Sequence, residues 1–336
     1  MIFYTSALLK IVLIFVFHVS LEVEKYQIIQ TNHTIMKPLW GIDMGGTKLE
    51  GVILESKENP KVLTRLRVPT EKEKGYEHIL HQIVYLVDQM KAASGLEPEI
   101  IGMGHPGALD PQTQTMKNSN TTAVNGRHFK KDLEDALGIP MELANDANCF
   151  AMAEASMGAV RTHVPNARMV FGVIMGTGVG GGIVFDGKVW NGHQGIGGEW
   201  GHSYLDDSGG KCYCGKTGCV ETLLSGPACE RYYEKITGQK CTLPEIVSRY
   251  AAGEPAAVET LDRLMHFFGK GIANIINILD PNVIVLGGGV GNIDLLYSKG
   301  VEKVREFVFN LRLDTVFLKP QLGDSAGVFG AAFLVA

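Results

Sequence analysis

Two stretches 131 residues apart follow the same pattern. One is Trp40-Gly-Ile-Asp-Met-Gly-Gly-Thr-Lys-Leu-Glu-Gly-Val-Ile-Leu and the other is Phe171-Gly-Val-Ile-Met-Gly-Thr-Gly-Val-Gly-Gly-Gly-Ile-Val-Phe. Each runs from an aromatic residue through glycine and apolar residues to Met-Gly, turns on glycines, and returns as a second apolar run. That is the pattern of two strands joined by a tight turn. A repeat this far apart implies duplicated halves rather than a short-period solenoid. Each half is then a sheet flanked by helices, with its glycine turn facing a cleft. Two such turns can grip a nucleotide's phosphates through backbone N–H groups.

Simpler nucleotide motifs fail here. Residues 176–181 satisfy G-x-G-x-x-G, but that fingerprint needs a helix directly after the glycines. Residues 182–190 (GIVFDGKVW) instead give strand, turn and strand. No helical pattern follows Lys48, and the Walker spacing is absent.

A second stretch constrains chemistry. His202, Cys212, Cys214 and Cys219 are spaced His-x9-Cys-x-Cys-x4-Cys. Three thiolates and one imidazole suit a closed tetrahedral zinc site, and Gly215 and Gly218 let the chain fold back between them. A disulfide-bonded loop is the other reading. The remaining cysteines, Cys149, Cys229 and Cys241, have no framework spacing, which fits a reducing compartment and a cytoplasmic protein. Glu199, His202 and Glu221 lie beside or within this clip and offer polar contacts to a polyol. A solvated surface pair is the alternative for the two glutamates. His202 can bind zinc through one nitrogen and present the other to a ligand.

A chain of 336 residues can hold two domains. Its net charge of −5 gives no footprint for nucleic acid or an anionic membrane. Residues 11–17 (IVLIFVF) form a short apolar run of the kind found in signal peptides, too brief to span a bilayer comfortably. The expected alternative is a true start at Met36, leaving residues 1–36 outside the fold.

Periodicity predicts a strand at 62–68, an amphipathic helix at 76–93, and a buried strand at 100–107 ending in a Gly/Pro turn. It predicts loop over 110–127, a helix at 129–137, and a short strand at 141–144 leading into a helix from about Asn145 to Met157. Later helices are expected at 226–238, 243–252, 256–279 and about 295–309. A strand at 282–286 exits through a glycine turn at 287–291. A last strand at 317–320 precedes a terminal helix from Gly323.

Asp43 sits where the first strand meets its turn, and the echoing position is Ile174. A carboxylate in one half only suggests orientation of Mg²⁺ or its waters near phosphate, with turn capping as the alternative. Thr47 and Lys48 can add a hydroxyl and a charge. Asp146, at a strand-to-helix junction, is the best general-base candidate, though Asn145 or Asp146 could each be a helix N-cap.

Together these motifs resemble the ROK family of repressors, open reading frames and sugar kinases, within the actin-like ATPase superfamily. The resemblance rests on Asp43-x-Gly-Gly-Thr-Lys48, Gly104-His-Pro-Gly107, Asn145-Asp-Ala-Asn148, Gly176-Thr-Gly178 and Glu199-Trp-Gly-His202. It continues through Cys212-x-Cys-Gly-x-x-Gly-Cys-x-Glu221, Gly287-Gly-Gly289 and Gly323-Asp-Ser-Ala-Gly327, in family order over about residues 37–336. It implies a two-lobed α/β fold of the actin-like, ribonuclease H-like kind, with residues 37–154 plus 323–336 in one lobe and 155–322 in the other. It implies phosphorylation of a hexose by ATP at the 6-hydroxyl, with Asp146 as base and a homodimer as the assembly. Sugar contacts would come from Gly107, Asn118 or Asn120, Asn145, Glu199, His202 and Glu221. ATP phosphates would meet Asp43, Gly45, Gly46, Thr47 and Lys48 in one half and Gly176, Thr177 and Gly178 in the other. The adenosine would lie near Gly287, Gly288 and Gly289. Residues 117–133 and 212–226 are most similar to the fructokinase or mannofructokinase branch, so fructose or mannose is the expected acceptor. Glucose and N-acetylated hexosamines are the alternatives. His105 departs from the family's usual small apolar residue. A sugar-responsive regulator of the same family would need a DNA-binding domain, and none is visible in the sequence.

Overall fold

The structure is a computed structural model and describes residues 37–336. The apolar run at 11–17 and the expected start at Met36 lie outside the described residues. Among those described, no helix is long and apolar enough to cross a membrane.

The glycine repeats become two hairpins, each at the heart of a five-stranded sheet. In the first half, β1 (Leu39–Met44) pairs antiparallel with β2 (Lys48–Leu54), and β3 (Val62–Pro69) extends the ribbon. On the other side of β1, β4 (Ile101–His105) and then β7 (Met141–Asn145) add in parallel. Between them β5 (Ala108–Leu109) and β6 (Met116–Lys117) make a two-stranded ribbon. In the second half, β8 (Met169–Met175) and β9 (Val179–Phe185) form the hairpin, β10 (Lys188–Val189) extends it, and β11 (Val283–Gly287) and β12 (Val316–Leu318) add in parallel. The orders are β3-β2-β1-β4-β7 and β10-β9-β8-β11-β12, one plan used twice.

The helices are α1 (Tyr76–Ser94), α2 (Phe129–Leu137), α3 (Asp146–Ser156), α4 (Ala159–His163), α5 (Glu221–Leu224), α6 (Gly226–Thr237), α7 (Leu243–Ala251), α8 (Pro255–Leu279), α9 (Gly288–Gly291), α10 (Lys299–Phe307) and α11 (Ala326–Phe333). In α1 the six apolar positions that set its period, Ile79, Leu80, Ile83, Leu86, Val87 and Met90, are all buried. Several expectations need adjusting. The helix expected at 295–309 breaks into a 3-10 turn, Asp294–Tyr297, and then α10, because Ser298 has the non-helical angles φ −115° and ψ −89°. The glycine exit at 287–291 closes into the single turn α9. The expected loop at 110–127 carries β6 and a 3-10 turn, Thr122–Val124. Helix α4 had no counterpart in the sequence reading.

Four apolar clusters result among the described residues, three large and one small, the small one being Ala144, Cys149 and Ala331. Two of the large ones lie within the halves, one under α1 and α2 and one under α5–α8. The third joins the sheets: Leu39, Val52 and Leu54 from the first and Val170, Val184, Val283 and Val285 from the second enclose Phe150, Val328 and Phe329. Helices α3 and α11 supply its centre, and they touch backbone to backbone. A side-chain carbon at Gly330 would lie 1.7 Å from the Cys149 carbonyl oxygen, so only glycine permits the crossing. This contact holds the start of α3 at a fixed place relative to both sheets.

Candidate active site

The parallel strands β1, β4 and β7 end together. Asp43 lies opposite Gly104, and His105 opposite Asn145, so the carboxyl edge of the first sheet gathers Asp43, the Pro106-Gly107 turn and the Asn145-Asp146 junction. Open α/β sheets bind ligands at this edge. At the junction the structure resolves which residue caps. Asn145 Oδ1 accepts the Asn148 N–H at 2.7 Å and caps α3, while Asp146 Oδ1 takes the adjacent Ala147 N–H at 2.9 Å. The Asp146 carboxylate therefore faces the cleft. Solvent reaches it from that side, yet protein crowds it elsewhere, and this burial raises its carboxyl above the usual range. Asp43 is pushed up to about 6, first by burial and then by the charge of Asp146, with Glu50 adding to the shift and Lys48 opposing it.

Gly107 has φ 84°, and a side chain there would also strike the Lys117 carbonyl at 2.6 Å. The turn lets Asn118 (φ 58°) and Asn120 reach the cleft. His105 does not reach it. Its ring is buried behind the turn, with Nδ1 3.3 Å from the Pro106 carbonyl and Nε2 without a hydrogen-bond partner. Burial lowers its pKa to about 4, so it stays neutral.

The opposite wall comes from the second half. Trp200 is buried, donates Nε1–H to the Gly180 carbonyl at 3.0 Å and packs edge-on against Phe171. It pins the turn Trp200–His202 to β9, with Glu199 and His202 on either side. Glu199 Oε1 accepts from Asn145 Nδ2 at 3.5 Å, linking the wall to the junction. Burial raises the Glu199 carboxyl, with His202 opposing and Asp146 reinforcing the shift. Glu221 begins α5 and takes the Val179 N–H at 3.0 Å.

The four clip residues converge. His202, Cys212, Cys214 and Cys219 each place one ligand atom so that all lie within 4.8 Å of one another. Cys212 Sγ is 3.6 Å from His202 Nδ1, and Cys214 Sγ is 3.6 Å from Cys219 Sγ. All six cysteines are free, which removes the disulfide reading among the described residues. This donor set and spacing fit a tetrahedral soft cation. Burial and then the neighbouring thiols hold Cys219 protonated, a penalty that a bound cation would relieve by taking the thiolate. The second nitrogen of His202 is not open as expected: Nε2 meets the Tyr213 hydroxyl at 3.0 Å. Tyr213 is a site residue that sequence reasoning missed.

Between the walls is a cavity of ≈ 1230 Å³, bordered by Gly107, Asn118, Asn120, Asn145, Asp146, Glu199, His202, Glu221 and the turn Gly176, Thr177 and Gly178. All the expected sugar contacts and the second phosphate turn thus share one space. The Gly287–Gly289 group stands next to that turn through the register Gly287 to Ile174, although it does not border the cavity. Nor do Asp43, Gly45, Gly46, Thr47 and Lys48. The first turn is instead shaped from behind by Thr70, whose hydroxyl donates to the Gly45 carbonyl at 2.8 Å and whose N–H donates to the Thr47 carbonyl at 3.0 Å. Lys48 pairs with Glu50 at 3.4 Å, and Glu50 is further held by Arg65 and Arg67.

Two like sheets with crossed helices between them and a cleft at their carboxyl edges are the actin-like ATPase fold. The model of the ROK family matches residues 39–336, and the chain belongs to that family. It is 37% identical over 306 residues to an N-acetyl-D-glucosamine kinase of Aliivibrio salmonicida, covering 88% of this chain and 98% of the relative. Among solved structures it is similar to a ROK hexokinase from Thermus thermophilus, at 32% identity and a TM-score of 0.79, covering 88% of this chain and 97% of that one. It is also similar to a ROK family glucokinase from Streptomyces griseus solved with glucose and AMPPNP, at 27% identity and a TM-score of 0.68 over 88% of this chain and 98% of that one.

Proposed function

We propose that this chain, a ROK sugar kinase, transfers the γ-phosphoryl group of ATP to the 6-hydroxyl of N-acetylglucosamine. The observation that carries the chemistry is the division of labour at the junction. Asn145 caps the helix, and Asp146 is left facing the cleft with a raised pKa. A general base works best when its pKa approaches the working pH. Asp146 takes the proton of the 6-hydroxyl as that oxygen bonds to the γ-phosphorus. The bond from phosphorus to the bridging oxygen breaks, and ADP departs. Such transfer depends mostly on positioning and charge. Asn118, Asn120, Asn145, Glu199, His202 and Glu221 hold the sugar, and the two glycine turns hold the phosphates, with the adenosine beside Gly287–Gly289. Asp43 would orient Mg²⁺ through its waters, and that ion supplies charge neutralisation at the phosphates. His202, Cys212, Cys214 and Cys219 would hold a structural zinc that stiffens the sugar wall. In this reading the lobes divide at 37–154 plus 323–336 and 155–322, and the chain works as a homodimer.

The acceptor follows from the curated relative, an N-acetyl-D-glucosamine kinase aligned along nearly its whole length. This favours the alternative over the fructose or mannose expected from two short loops. An ATP-coupled assay across N-acetylglucosamine, glucose, mannose and fructose tests it. The highest kcat/KM should fall on N-acetylglucosamine; a preference of tenfold or more for fructose or mannose would overturn the acceptor assignment.

A further inference from the structure

Tyr213 lies between two of the sulfur ligands, yet it serves no core. The residue is 82% exposed. The hydroxyl end points inward, 3.0 Å from His202 Nε2, and the two rings meet edge-on at 5.2 Å between centroids. The residue borders the same cavity as Asp146, Glu199 and Glu221.

Proton placement gives this contact a direction. Cys212 Sγ stands beside His202 Nδ1, so Nδ1 is the nitrogen turned toward the clip's centre. A ring that gives its lone pair there carries its proton on Nε2. Nε2–H then donates to the Tyr213 oxygen, and the phenol's own O–H is left to donate elsewhere. A tyrosine in this state offers a donor at its tip and an apolar ring face beside it.

Asp146, Glu199, His202 and Tyr213 border one cavity, so a hexose proposed to set its 6-hydroxyl at Asp146 has Tyr213 on the wall of the same space. We infer that Tyr213 is a specificity-determining residue that reads the substituent on carbon 2, donating its hydroxyl to the carbonyl oxygen of an acetamido group and covering the methyl with its ring. The inference rests on the acceptor proposed above. Sites that bond a substrate's polar group discriminate strongly against analogues lacking it, and a covered methyl adds a smaller preference.

The test compares wild type, Tyr213→Phe and Tyr213→Ala. Calorimetric Kd and steady-state kcat and KM are measured for N-acetylglucosamine and glucose, with metal content by elemental analysis. Tyr213→Ala should weaken N-acetylglucosamine binding by roughly 10- to 100-fold. Glucose should stay within about threefold, with kcat and metal content little changed. Tyr213→Phe should fall between the two. Equal weakening of both sugars, with or without metal loss, would show a merely structural role and overturn the inference, as would no change in either. Wild type that binds glucose but not N-acetylglucosamine would bring down the acceptor assignment and this inference together. Normal wild-type binding with an unchanged sugar ratio in Tyr213→Ala would bring down this inference alone.

Discussion

One carboxylate oxygen of Glu221 accepts the backbone N–H of Val179 at 3.0 Å, and it approaches within 2.7 Å of where a side chain at Gly178 would begin. The residue thus borders the cavity and braces the second glycine turn. Glutamine at 221 keeps an acceptor for that N–H, and alanine does not. A hydrogen bond to a charged group contributes about 1.5–3 kcal/mol. Glu221→Ala should therefore raise KM for sugar and ATP alike, each by about tenfold or more. Glu221→Gln should raise the sugar KM while leaving the ATP KM within about threefold. Initial rates with each substrate varied in turn check this; equal effects of the two variants on ATP would remove the bracing role.

Asp146 has a direct kinetic test. The helix is capped by Asn145, and Asp146 Oδ1 accepts the Ala147 N–H, which an asparagine oxygen can also do, so Asp146→Asn changes charge and basicity with little change of shape. Sugar binding should persist, and kcat should drop by roughly 10²–10⁴-fold. Near-normal turnover would mean another group takes the proton.

Asp43 links activity to pH and to stability. Its pKa in the folded protein, about 6, lies above the ordinary 3.8. Between those values the folded state binds more protons than the unfolded one, so this group's contribution to stability falls as pH rises from about 4 to 6 and stays low above. The penalty at pH 8 is on the order of 2 kcal/mol, allowing for partial exposure. Asp43→Asn should accordingly be more stable than wild type to urea at pH 8 and no more stable near pH 4. The ionised form is the one suited to Mg²⁺, so wild-type kcat/KM for ATP should climb with pH through about 6. A stability difference that does not vary with pH would refute the shift.

How much of this was legible in the sequence depended on the range of the forces involved. The doubled sheet was legible because the hairpin pattern at Trp40 repeats at Phe171; the order of the parallel strands beside each hairpin was not, because it is set by pairing between segments far apart in sequence. Helix α1 was legible because its apolar period is local. The clip was legible because its four candidate ligands lie close together in the sequence. The choice between Asn145 and Asp146 as cap was not, since both residue types cap well; the bond from the Asn148 N–H to Asn145 Oδ1 decides it. Nor was the break at Ser298, although Gly300 lies two residues on. Gly330 looks like any small residue of a terminal helix until α3 is laid across it. Tyr213 was overlooked because its partner lies 11 positions away and meets it only once the clip has closed.

The clip should act on the sugar side of the reaction alone. His202 turns one nitrogen toward Cys212 in the clip and also borders the cavity. The second glycine turn is held separately, by the Gly226 N–H to the Gly176 carbonyl at 2.8 Å and by Glu221. Four ligands make one closed site, so protein purified without chelator should carry about one zinc per chain. Since ligand binding and local folding are coupled, stripping the metal should free the loop that carries Cys212 and Cys214 while the sheets stay folded. The expected signature is a sugar KM raised by about tenfold or more, an ATP KM within about threefold, and restoration of both by added zinc. Loss of ATP affinity in step with sugar affinity would mean that the metal supports the whole second half, and protein that carries no metal would mean that the four ligand atoms converge for some other reason.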